Sequence, residues 1–288
     1  MGIRISTLLL LIVTTACGPL ATASSIAPAV ASIPPTSAAI EGRPPSTPAP
    51  KRTSTPDSTT CLTEPGRVIA LTLNDPRLFR PMPYRLYLPG CYGHTVHALP
   101  VLILFHGLTY NESQWQDLGV AASADRLIAA GKIPPFIIVM PAELKGLDFE
   151  SAVVDVLLPK IEAQYPTRID RQGLAVGGLS RGGGWALRIG MEYAQTFGAI
   201  GMHSPAVLPP DLFRLSGWAA KMPESLRPRL WIDIGQSDSL RFEALELVQQ
   251  LVSLGFRLSW RTYPGDHNGA YWSSHLNTYL QWYAQSWN

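Results

Sequence analysis

From Cys61 onward the sequence alternates short runs of branched apolar residues with longer runs whose apolar residues recur every three or four positions. Helices packed on both faces of a mostly parallel sheet produce this alternation, because parallel strands are buried on both sides and need crossover connections. The strand-like runs are 67–73, 84–88, 101–105, 136–140, 173–177, 199–202, 230–234 and 258–263. Helical periodicity marks 121–130, 149–163, 182–193, 240–254 and 270–284. The predicted class is therefore α/β, in one domain spanning 61–288. With 46% hydrophobic and only 15% charged residues, the chain has material for a sizeable core.

The preceding sixty residues are of another kind. Arg4, an apolar run over 8–13 and then small residues read as an export signal over 1–23, too short to span a bilayer. Two processing sites compete. Thr14-Thr15-Ala16-Cys17 resembles a lipoprotein cleavage box that would leave Cys17 as the acylated first residue, while Ala21-Thr22-Ala23 offers an ordinary small-x-small site. Segment 24–60 is rich in Pro, Ser, Thr and Ala and cannot bury enough surface to offset its ordering, so a disordered linker is expected. The location implied is extracytoplasmic, lipid-anchored or secreted. An even pair of thiols remains there, Cys61 and Cys91, and a disulfide between them is expected. The formal charge of +2 gives no footprint for nucleic acid.

Within the domain, Gly178-Leu179-Ser180-Arg181-Gly182 fits the G-x-S-x-G elbow, in which a tight strand-to-helix turn presents a serine hydroxyl. The pattern arises by chance in roughly one chain in ten of this length. Its setting is more specific, with the apolar Leu174-Ala175-Val176 before it and a helical run after it.

A serine hydroxyl needs a base, and in this arrangement the acid and then the histidine follow the serine along the chain. Of His203, His267 and His275, only His267 stands in a loop after the last strand, in Pro264-Gly265-Asp266-His267-Asn268-Gly269. His275 falls on the following helix, and His203 closes a strand, where it either faces the cleft or caps that strand. Among the aspartates between serine and histidine, Asp233 lies inside a strand, Asp211 in a Pro-rich loop and Asp266 beside the histidine itself. Asp238, in the loop after a strand, is the candidate acid. The oxyanion of a tetrahedral intermediate needs amide donors, expected from Arg181 and from Leu108 in the turn His106-Gly107-Leu108. His94 and His97 lack further ligands at metal spacing, so no metal is expected.

Taken together, Tyr84-Arg85-Leu86-Tyr87-Leu88-Pro89, Phe105-His106-Gly107-Leu108 with Asn111 and Trp115 downstream, Gly178 to Gly183, and Gly265-Asp266-His267 with Tyr271-Trp272 carry a resemblance. The chain resembles the esterase family of α/β-hydrolases that includes esterase D, feruloyl esterases and enterochelin esterases, with mycolyltransferases as relatives. The resemblance implies the α/β-hydrolase fold and cofactor-free ester hydrolysis through an acyl-enzyme. It also implies Ser180, Asp238 and His267 as triad, and the Leu108 and Arg181 amides as oxyanion hole. Asn111, Trp115 and His203 are the candidate substrate contacts, and the substrate expected is a small-molecule or glycan-linked ester. Many members carry Met directly after the nucleophile, where this chain has Arg181. An acyltransferase and a non-catalytic cell-surface binding protein are the alternative readings of the same residues.

Overall fold

Consecutive apolar residues, as in Val101–Phe105 and Ile137–Pro141, cannot turn one side to water, and both segments are strands buried along their whole length. The computed structural model of the chain describes residues 63–90, 92–93 and 97–287. Cys17, Cys61 and Cys91, with the expected export signal and linker, lie outside the described residues. In chain order the strands are β1 (Arg67–Leu73), β2 (Met82–Leu88), β3 (Val101–Phe105), β4 (Ile137–Pro141), β5 (Leu174–Leu179), β6 (Ala199–His203), β7 (Arg229–Gly235) and β8 (Leu258–Tyr263). The helices are α1 (Gln114–Asp117), α2 (Val120–Ala129), α3 (Phe149–Ser151), α4 (Leu158–Gln164), α5 (Arg181–Glu192), α6 (Asp211–Lys221), α7 (Arg241–Ser253) and α8 (Gly269–Ala284).

The strands make one sheet in the order β1-β2-β4-β3-β5-β6-β7-β8. It is parallel from β4 to β8, and β2 runs antiparallel to both of its neighbours. Alternate side chains of each strand enter opposite cores, as the pleat requires. Val101, Ile103 and Phe105 join the core under α4, α5, α6 and α7, while Leu102 and Leu104 join the one under α2 and α8. Helices thus cover both faces, as expected. Among the described residues, no helix is long and apolar enough to cross a membrane.

Two helical expectations need correction. The run 149–163 is not one helix but α3, a wider π turn over Ala152–Leu157, and α4. Pro159 is the cause: it has no N–H to give to the carbonyl of Asp155 and its ring crowds that turn. Arg77 Nη1 donates to the Asp155 carbonyl instead, at 2.7 Å. Asp211, placed in a loop by its prolines, is the first residue of α6. It is fully buried and accepts from Arg188 Nε at 2.9 Å, and it heads a buried stripe with Leu215 and Trp218.

Candidate active site

The C-terminal ends of the central parallel strands carry the site. Ser180 sits between β5 and α5 with φ at +53°, a left-handed conformation that a non-glycine residue adopts only under constraint from its surroundings. The constraint is visible in its bonds. The Ser180 amide donates to the His203 carbonyl at 2.9 Å, and the Ser180 carbonyl accepts from the Gly183 and Ala206 amides, each at 2.9 Å. The two motif glycines give the turn its tightness. A Cβ on Gly178 would run into the Gly182 backbone, and one on Gly182 into the Phe105 carbonyl.

Opposite Ser180, the loop after β8 presents His267. Its Nε2 lies 2.9 Å from Ser180 Oγ, and its Nδ1 lies 2.9 Å from Asp238 Oδ2. The carboxylate can only accept, so Nδ1 carries the proton and Nε2 offers its lone pair to the serine hydroxyl. Burial works to raise the Asp238 carboxyl, but the hydrogen bonds from His267 and the Leu240 amide outweigh it and hold the group below its ordinary value. The loops that carry Asp238 and His267 are joined by their backbones: Gln236 N donates to the Tyr263 carbonyl at 2.8 Å and Ser237 N to the Gly265 carbonyl at 3.0 Å.

On the other side of Ser180, β3 runs into His106-Gly107-Leu108. Gln114 Oε1 accepts from the Gly107 amide at 2.7 Å, and Trp115 Nε1 donates to the Phe105 carbonyl at 2.9 Å, so α1 braces the turn. His106 is buried; its Nε2 accepts from the Glu143 amide and its Nδ1 donates to the Gly107 carbonyl, both at 2.8 Å. Burial pushes this imidazole below its ordinary value, which keeps it in the neutral form that can make both bonds. Among the described residues, the Leu108 and Arg181 amides donate to no protein acceptor. Two clefts open beside the serine. One of about 200 Å³ is lined by Leu108, Tyr110, Leu179, His267 and Trp272. The other, of about 610 Å³, lies between Leu108 and Tyr110 on one side and Glu143, Lys145, Arg181 and Trp185 on the other.

The structure brings together Ser180, Asp238, His267, Leu108 and Arg181, and separates the three candidate substrate contacts from them. Trp115 is buried with its indole N–H committed to Phe105, so it is a brace of the strand end and not open to a substrate. His203 is fully buried on the far side of β6. Its Nδ1 lies 2.7 Å from Asp233 Oδ1 and its Nε2 3.1 Å from the Tyr283 hydroxyl. Asn111 is exposed and its side-chain oxygen accepts from the Ser113 amide of its own turn at 2.9 Å; it lines neither cleft. Sequence reading did not single out Gln114 or Glu143, whose roles depend on long-range partners. Trp272 was noted only as part of a motif. Its ring stands edge-on to His267 at 5.1 Å.

The sheet, the elbow after β5 and the loops after β7 and β8 define an α/β-hydrolase, and a solved ferulic acid esterase superposes on the chain with a TM-score of 0.69. The two are 26% identical, over 78% of this chain and 99% of that one. Residues 76–283 match the family described as "Putative esterase", and the chain belongs to that esterase family. It is 31% identical over 190 residues to the Endo-1,4-beta-xylanase/feruloyl esterase of Xylanibacter ruminicola, a match covering 60% of this chain and 25% of that protein. It is also 31% identical over 182 residues to Esterase Rv1288 of Mycobacterium tuberculosis, covering 53% of this chain and 38% of the relative. The chain thus aligns with less than half the length of either curated relative.

Proposed function

We infer that the chain is a serine esterase that hydrolyses carboxylic esters through an acyl-enzyme. His267 Nε2 takes the Ser180 proton as Oγ attacks the ester carbonyl carbon, and Asp238 stabilises the imidazolium that forms. The Leu108 and Arg181 amides receive the oxyanion, with the positive end of α5 behind the second. Collapse of the tetrahedral intermediate breaks the bond to the alcohol, which leaves with the proton from His267. Water, deprotonated by the same imidazole, then attacks the acyl-enzyme and releases the acid and free Ser180. The observation that carries this reading is the continuous chain from Ser180 Oγ through His267 to Asp238, with 2.9 Å at each step.

The substrate class that fits is a small-molecule or glycan-linked ester with an aromatic acyl group. Tyr110 and Trp272 line the smaller cleft, and the relatives named as feruloyl and ferulic acid esterases support the same class. The catalytic domain of this reading is 61–288, exported by the signal over 1–23 and then either lipid-anchored through Cys17 or secreted. Assays with p-nitrophenyl esters and feruloyl esters, on wild type and Ser180→Ala, test the reading. Hydrolysis by wild type should fall by at least about a thousandfold in the variant. Equal rates would refute it.

A further inference from the structure

Glu143 touches both sides of the amide pair, and it lies in no motif. In the sheet, β4, β3 and β5 are consecutive, so the loops leaving their C-terminal ends lie side by side. β3 leads into His106-Gly107-Leu108 and β5 into Ser180-Arg181, while Glu143 follows the end of β4 at Pro141. From there it reaches across the β3 loop. Its backbone amide donates to His106 Nε2 at 2.8 Å. Its carboxylate accepts from Arg181 Nε at 2.8 and 3.0 Å and from Arg181 Nη2 at 2.5 Å.

Building on the serine-esterase reading, we propose that Glu143 is a positioning residue for the oxyanion hole, tying the turn that carries the Leu108 amide to the residue that carries the other. Two groups of the same residue make the tie. The amide fixes the neutral His106, whose other nitrogen holds the Gly107 carbonyl, the peptide that contains the Leu108 N–H. The carboxylate fixes the plane of the Arg181 guanidinium, and with it the first residue of α5. An exposed ion pair with one contact would do little of this, since solvent screens it and both side chains stay mobile. Here the contact is a fork of three hydrogen bonds, the Glu143 side chain is only 18% exposed, and the Trp185 ring lies 5.7 Å from the guanidinium carbon. Oxyanion donors act over short, directed hydrogen bonds, so a small tilt of either peptide weakens the transition state more than the bound ester.

The pair also explains how an arginine is accommodated after the nucleophile. Glu143 neutralises the cation, and Arg181 in turn prevents a bare carboxylate from facing the developing oxyanion. The two residues should therefore be coupled. Glu143→Ala and Glu143→Gln are expected to lower kcat by about 10-fold to 100-fold, with Gln the milder, while KM stays within twofold. Arg181→Met should lose more, because it strands the carboxylate, and adding Glu143→Gln to it should recover part of the loss. Affinity for a trifluoromethyl ketone, which forms a tetrahedral adduct on the serine, should fall by the same factor as kcat. Thermal melting of each variant separates this from unfolding, and rates are taken per folded molecule. Unchanged kcat and unchanged ketone affinity in both Glu143 variants would overturn the positioning role, as would a rise in KM at constant kcat. Ser180→Ala runs alongside: if it retains hydrolysis, the underlying esterase reading fails and this role with it. If it is inactive while the Glu143 variants are fully active, only the positioning role fails.

Discussion

Among the described residues, two histidine–aspartate pairs stand with almost the same internal geometry and opposite surroundings. His203 and Asp233 approach to 2.7 Å with both side chains fully buried; His267 and Asp238 approach to 2.9 Å with the imidazole 27% exposed. Asp233 also accepts from Trp231 Nε1 at 2.7 Å, from the Tyr271 hydroxyl at 2.8 Å and from the Tyr279 hydroxyl at 2.7 Å. Burial first, and the nearby Asp233 charge next, hold both phenols far above their ordinary value, so they remain donors. The second nitrogen of His203 meets Tyr283, and its ring stacks on Tyr279 at 3.7 Å. Nothing in that cluster is left over for a reacting group. A histidine beside a carboxylate is thus a common structural unit, and it becomes a candidate base where its remaining nitrogen faces a hydroxyl at the edge of a cleft. The buried pair works for the other one: Tyr271 and Tyr279 anchor α8, which begins two residues after His267.

The sharpest way to break the comparison is to delete each imidazole. His267→Gln should reduce ester hydrolysis by at least about a thousandfold with little change in melting temperature. His203→Gln should leave activity per folded molecule within a few-fold and show its cost in denaturant unfolding. A reversed pattern would mean that the pairs have been assigned the wrong roles. Next in size, Asp238→Asn should leave a folded protein with kcat lowered by up to about 10⁴-fold, through the wrong tautomer of His267. Asp233→Asn should instead cost about 3–5 kcal/mol of stability, because it breaks a buried hydrogen-bonded pair and turns one acceptor into a donor among donors. Tyr279→Phe removes a single donor from Asp233 and should cost about 1–3 kcal/mol in urea unfolding, with kcat barely moved.

The smallest effect is in pH. Asp238 has its folded value below the ordinary 3.8, so its contribution to stability is complete above that value and is lost as pH falls through the lowered one. Denaturation midpoints measured from pH 5 down to pH 2 should therefore drop more steeply in wild type than in Asp238→Asn. Parallel curves would show that the carboxylate gains nothing from its partners.

Much of this was legible before any coordinates. The apolar runs defined all eight strands to within a few residues; in the central strands burial on both faces leaves little freedom in composition, whereas β1 and β8 are partly open to solvent. The positions of Ser180 and His267 follow from local chain order, and that of Asp238 from the exclusion of aspartates inside strands or next to the histidine. The direction in which a side chain points was harder to read. Along Ala199–His203 the pleat puts His203 on the same side as Ala199 and Gly201, under α8, but only the finished layers show which side faces the cleft. Trp115 failed for a related reason: its motif position is near the site while its ring is in the core. Glu143 carries no local signal at all. Its partners lie 37 and 38 residues away and meet it only because β4, β3 and β5 are neighbours.

The backbone bonds between the loops of Asp238 and His267 have a mechanical consequence. With Gln236 and Ser237 stitched to Tyr263 and Gly265, those two loops are joined through their backbones, so a displacement of one carries Asp238 and His267 together. Ser180 is bound instead to His203 and Ala206, and the residue after His203, Ser204, gives its amide to the Asp233 carbonyl of β7 at 2.7 Å. Between the loop of His267 and that of Ser180, the 2.9 Å side-chain contact is therefore a link that no backbone hydrogen bond among the described residues duplicates.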